Sequence, residues 1–185
     1  MITPHCSSIS GRHARFCAGA LFAFGLLLGG CAEQRAESQV KAPEAAVDTG
    51  EGSGSGEIDD SAGPGTGVDL AVMKIFWSPS HPKAGDPITF SALVKNRGTV
   101  ATDEGTIIGV AFQINGLTVA WSDNDKASLA AGATRKLKAN FGPGEAPTWT
   151  SVAGEHTLSA WVDDVNRLPD TNRNNNTNET PLVVK

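Results

Sequence analysis

Past Cys31 the chain contains no cysteine, and it has no tyrosine anywhere. The first absence excludes a disulfide framework or a thiolate metal site for everything downstream, so burial alone must hold a fold together there. Basic residues are also in deficit. The chain carries 15 Lys and Arg against 20 Asp and Glu, and every acid lies after Cys31. Phosphate binding needs clustered Lys and Arg, so this balance argues against a nucleic-acid partner. After Cys31 only His81 and His156 remain as histidines. His81 falls in a Pro-flanked loop, His156 follows Gly154-Glu155, and both read as surface residues. No nucleophile elbow, HExxH helix or phosphate-cradling glycine loop is present. The sequence therefore points away from an enzyme. Long apolar runs are missing too. The longest, Phe16 to Leu28, is too short to cross a ~30 Å hydrocarbon core as a helix.

That run is informative for another reason. Arg12, His13 and Arg15 form a basic n-region before it, the layout of a secretory signal peptide. It ends in Leu28-Gly29-Gly30-Cys31. This string resembles the lipobox of bacterial lipoproteins, in which small residues admit the peptidase and the cysteine thiol takes a diacylglycerol. The resemblance implies a signal peptide over 1–30, cleavage before Cys31, and a palmitate-type anchor at Cys31. Several acyl chains at about 0.8 kcal/mol per buried methylene would make attachment to the membrane effectively permanent. Ala32, where an aspartate would favour retention at the inner membrane, points to the outer membrane of the cell envelope.

Residues 31–67 hold the run Gly50-Glu51-Gly52-Ser53-Gly54-Ser55-Gly56 and no aromatic residue. Such a segment buries too little apolar area to offset its ordering entropy. It reads as an acidic Gly/Ser-rich tether with a reach of roughly 30–37 Å.

The texture changes at Val68. Ile88, Phe90, Ala92 and Val94 alternate with Thr89, Ser91, Leu93 and Lys95, the period of a half-buried strand. Ile108, Val110, Phe112 and Ile114 repeat the pattern, and Asn115-Gly116 is a hairpin signal leading into Leu117 to Trp121. Leu70 to Trp77, Arg135 to Phe141, Thr157 to Val162 and Leu182 to Val184 supply the rest. About seven short strands and no helical period predict an all-β, immunoglobulin- or fibronectin-III-like two-sheet sandwich over 68–185.

Several strings in this region carry a family resemblance. They are Asp69-Leu70, Trp77-Ser78-Pro79, Ala84-Gly85-Asp86-Pro87-Ile88-Thr89-Phe90 and Val94-Lys95-Asn96-Arg97-Gly98, then Leu129-Ala130-Ala131-Gly132, Ala153-Gly154-Glu155-His156-Thr157 and Val162-Asp163-Asp164-Val165-Asn166. Together they resemble the CARDB domain, the cell adhesion related domain found in bacteria. The resemblance implies an immunoglobulin-like sandwich on a secreted or surface protein, with adhesion or carbohydrate binding as its role. One departure stands out. Where members of the family tend to read Glu-x-Asn-Glu-x-Asn-Asn, this chain has Asp170-Thr171-Asn172-Arg173-Asn174-Asn175-Asn176, with an arginine in place of the second acid.

Two constellations remain for ligand chemistry. Asp163, Asp164, Asn166 and Asp170 supply the oxygens that a structural calcium ion needs. The EF-hand glycine and closing glutamate are absent, Pro181 standing in the glutamate's place. The other reading of these residues is turn chemistry, because Asp and Asn tolerate left-handed backbone and bond to it. The second constellation is the tryptophans. Trp161 is out of phase with Leu158, Ala160 and Val162, and Trp149 lies in a Gly/Pro-rich stretch, so both are expected at the surface; Trp77 and Trp121 are expected to fill core or sheet-edge space. Trp149, Trp161 and Trp121 are the candidate ligand-binding residues. The expected function is a membrane-anchored adhesion or ligand-binding module for a polysaccharide or another envelope component. The alternative is a structural or assembly lipoprotein acting through protein contacts.

Overall fold

Period-two burial becomes two facing antiparallel sheets. A computed structural model describes residues 50–54, 56 and 65–185. The expected signal peptide, Cys31 and the tether up to residue 49 lie outside the described residues. Among the described residues nine strands run in chain order: β1 (Gly52–Gly54), β2 (Leu70–Ser78), β3 (Pro87–Asn96), β4 (Val110–Ile114), β5 (Leu117–Ser122), β6 (Thr134–Lys138), β7 (Thr148–Thr150), β8 (Gly154–Val162) and β9 (Thr177–Val184). The first sheet has the order β1-β2-β3-β6, with β7 pairing to β3 as well, and the second has the order β5-β4-β8-β9. The all-β sandwich expected from the alternation is what forms.

The core lies between the sheets. Ile88, Phe90, Ala92 and Val94 of β3 are fully buried and face Val110, Phe112, Leu158, Ala160 and Val162 of the second sheet, also fully buried. Phe90 and Phe112 stack across the interface with ring centroids 5.8 Å apart. A bulge between Val72 and Lys74 shifts the register of β2. It lets Val72 and Ile75, three positions apart, both point inward. The β4–β5 turn is as expected. Asn115 and Gly116 have φ of 51° and 81°, which suits a tight hairpin and would strain most other residues.

The strand count exceeds the seven expected, because two short strands escape any pattern of their own. β7 lies in the Gly/Pro-rich stretch that carries Trp149. It is a three-residue strand held against Pro87–Thr89 of β3. β1 falls within the segment read as tether, yet Gly52, Ser53 and Gly54 pair with Trp77, Phe76 and Ile75. Strand formation in such short pieces is set by the partner rather than by local preference. β9 also begins earlier than Leu182, since its inward positions Asn178 and Thr180 are polar but buried. Asn178 donates to the Val72 carbonyl at 3.0 Å and accepts from the Gly56 N–H at 2.7 Å. It thereby ties three segments of the chain together.

Candidate functional site

The outward-facing residues of the second sheet converge on one transverse row. On β4, Val110 and Phe112 point inward, so Ala111 points out. Ala111 pairs with Trp161 on β8 and with Trp121 on β5, and Trp121 forms an isolated bridge to Phe141. Trp161, Ala111, Trp121 and Phe141 therefore lie side by side across the face. The Trp121 and Phe141 rings are 5.5 Å apart and tilted by 48°. Trp161 and Phe141 are exposed, at 38% and 42%, while the small Ala111 between the indoles is covered. Trp161 and Trp121 are two strand spacings apart, roughly 9.6 Å.

Polar groups border this row on both sides. Along one side Ser159 pairs with Gln113, and Gln113 with Thr118. Their side-chain hydrogen bonds are both long, at 3.5 Å; Ser159 is buried, so the half-buried Gln113 amide and the exposed Thr118 hydroxyl retain capacity for another partner. Along the other side lies a hollow of about 180 Å³ lined by Trp121, Ser122, Asp123, Asp164, Val165 and Arg167. Gly109 makes room for it. A Cβ there would stand 2.7 Å from Arg167 Nη1 and 3.3 Å from Asp164 Oδ1. Burial raises the Asp164 pKa above its usual value and the nearby Asp163 adds to this, while the Arg167 guanidinium opposes the shift. Asp123 is fixed by a reciprocal pair with Asn140, its N–H donating to Oδ1 at 2.9 Å and its carboxylate accepting from Nδ2 at 3.0 Å.

The sequence candidates separate. Trp161 is exposed on the outer face, as its phase implies. Trp121 also faces outward, beside it. Trp149 does not join them. It sits half-buried on β7, paired with Ile88 and packed against the core, with His156 edge-on at 5.2 Å. Its expected loop exposure is therefore corrected. Trp77 is partly buried against the core, with its Nε1 buried and unpartnered among the described residues. Alternation along Arg135 to Phe141 would put Phe141 on the same side as Leu137 and Ala139. Phe141 faces out because β6 ends at Lys138 and the chain crosses to the second sheet, where the Phe141 and Asn140 N–H groups donate to the Trp121 carbonyl at 3.1 and 2.9 Å.

The acidic constellation has a structural occupation. Asp163, fully buried with φ of 52°, accepts the Arg167 N–H at 2.7 Å and the Leu168 N–H at 3.2 Å. Its Oδ2 also receives Arg173 Nη1 at 3.0 Å. Asp170 accepts the Asn172 and Leu70 N–H groups at 2.9 and 3.0 Å. Burial pushes the Asp170 pKa up against these hydrogen bonds. Asn166 adopts left-handed backbone, with φ of 56°. The oxygens of Asp163 and Asp170 are thus directed at the protein's own N–H groups and at a guanidinium. No group of three or more His, Cys, Asp or Glu among the described residues is arranged to hold a metal. Asp163 and Asp170 are engaged in turn hydrogen bonds and an ion pair, while Asp164 lines the hollow beside Arg167 and Asn166 holds a left-handed turn.

Comparison with known proteins gives a consistent picture. The CARDB family profile matches residues 67–180. The CARDB domain of a Pyrococcus furiosus protein, crystallised in complex with di-metal ions, is 23% identical with a TM-score of 0.50, and the match covers 70% of this chain and all of that one. A domain from a Methanosarcina acetivorans protein named for the cell surface is 21% identical with a TM-score of 0.49, the match covering 64% of this chain and 92% of that one. No curated protein matches. The metals belong to the Pyrococcus domain. In this chain Arg173 already supplies a positive charge to the buried Asp163.

Proposed function

The chain belongs to the CARDB family, a family of non-catalytic adhesion-related domains, and from that premise we propose that it is a surface-displayed, ligand-binding module of the cell envelope rather than an enzyme. In this reading residues 1–30 direct export, Cys31 carries the lipid that holds the protein to the membrane, and the segment after it is a spacer. The ligand is a polysaccharide laid across the outer face of the second sheet.

The observation that carries this reading is the register row Trp161–Ala111–Trp121–Phe141. Aromatic rings present apolar faces on which the C–H face of a sugar stacks. The flanking Gln113 and Thr118 supply the amide and hydroxyl groups that bond to sugar hydroxyls. Two indoles two strands apart match a segment about the length of a disaccharide. Neither indole is needed to close the core, because both are on the outside of the sheet.

The test is retention of the full chain on a panel of uncharged insoluble and gel-embedded polysaccharides. Retention on at least one polymer is expected, and Trp161→Ala with Trp121→Ala should abolish it while Trp149→Ala leaves it intact if that variant folds. Retention by the folded double variant equal to that of the parent chain would remove the row from the site.

A further inference from the structure

The opposite face of the sandwich has a different chemistry. Register places Lys74, Leu93 and Lys136 in one row of the first sheet, Phe76, Ser91 and Lys138 in the next, and Lys95 on the same outward side. Four lysines thus share one sheet face in a chain whose formal net charge is −5. Two of them are seated on a ring, with Lys136 Nζ 4.0 Å and Lys74 Nζ 5.4 Å from the Phe76 centroid. Beside them is a hollow of about 510 Å³ lined by Glu51, Ser78, Thr89, Ser91, Lys136 and Lys138. Lys136 is paired with Glu51, both carboxylate oxygens at 2.7 Å. No ion pair among the described residues engages Lys138 or Lys95.

We propose that this lysine face is a second binding site, taking a polyanionic polysaccharide, with Glu51 as the internal carboxylate that the ligand's own carboxylates replace. Charge selects the occupant. Clustered like charges concentrate an anionic polymer at the surface, and serine and threonine hydroxyls in the hollow suit its uncharged groups. The Glu51–Lys136 pair is about two-fifths exposed on each side, so it is weakly held and readily exchanged. The face is poorly suited to entering a bilayer, because its one aromatic ring, Phe76, lies under two ammonium groups. Since Glu51 shows how a carboxylate sits there, a uronate-type polymer is the natural probe. The site is on the other sheet from the tryptophan row and stands or falls apart from it.

Binding of the full chain to polygalacturonate, with neutral dextran as control, tests the proposal by affinity electrophoresis at low and high salt. The expected result is binding to polygalacturonate alone, weakened by salt as screening rises. Lys136→Gln with Lys138→Gln should lower affinity by about tenfold or more without changing Tm, and Glu51→Gln should raise it, because one competitor is removed. Trp161→Ala should leave it unchanged. The proposal is overturned by absence of binding, by full binding in the double lysine variant, or by loss of binding in Trp161→Ala. Stronger association with phosphatidylglycerol vesicles than with polygalacturonate would likewise overturn it and assign the face to a membrane.

Discussion

Arg173 reaches back to Asp163, its Nη1 donating to Oδ2 at 3.0 Å, while its Nη2 donates to the Leu168 carbonyl at 2.8 Å. The carboxylate is fully buried and the guanidinium partly exposed. Arg173 therefore supplies, from within the chain, the positive charge that faces this buried carboxylate.

One consequence concerns stability and calcium. Removing one partner leaves a buried carboxylate uncompensated, which is the costly case. Arg173→Ala is expected to cost about 1–3 kcal/mol, the lower part of the usual range because the arginine is partly hydrated. Denaturant melts of the full chain measure this. Tm of the parent chain should be the same in millimolar calcium and in chelator, and a rise with calcium would contradict the assignment of Asp163 to Arg173.

Acid titration gives a second check. The pKa of Asp164 is raised in the folded chain, chiefly by burial. A carboxyl whose folded pKa exceeds its unfolded value of 3.8 binds its proton more tightly when folded. Its ionised form therefore costs stability above the folded pKa, and that cost fades as pH falls through the folded value toward 3.8. Asp164→Asn should melt slightly higher than the parent at pH 7, with the gap narrowing on acidification. A gap that is constant with pH would mean the gain comes from something other than charge.

The short edge strand can be tested with a methyl group. A Cβ at Gly52 would collide with the Trp77 indole, and one at Gly54 with the Thr180 side chain. Gly52→Ala should detach β1, so that the Ile75 and Trp77 amides exchange faster and the Trp77 fluorescence shifts toward that of an exposed indole. The global unfolding free energy should fall by no more than about 1 kcal/mol, because β1 contributes no apolar side chain to the core.

Much of the fold is legible in the sequence where burial and alternation coincide. Ile88 to Val94 and Leu158 to Val162 declare their inward sides, and Asn115-Gly116 declares its turn. What stays hidden is what depends on a partner. Gly52–Gly54 carries no hydrophobic signal, and Asn178 and Thr180 are inward-facing yet polar. The site was half legible. Alternation gives the outward side of Trp161, but only register across three strands aligns it with Ala111 and Trp121. Phe141 misleads because its strand has already ended. The Asp and Asn residues of 163–178 carry a composition that suits either calcium or turns, and the contact of Arg173 with Asp163 could not be read from it.

Because β1 lies between the segment leading back to Cys31 and β2, it is mechanically in series with any pull on the proposed anchor. Three residues without packed side chains hold less force than the sandwich behind them, so this ladder gives way first. Its opening releases Gly52–Gly54 from β2 while the two sheets behind it stay folded. In the proposed anchored role, such a sacrificial link would take up a sudden load as extension before the sandwich itself is strained.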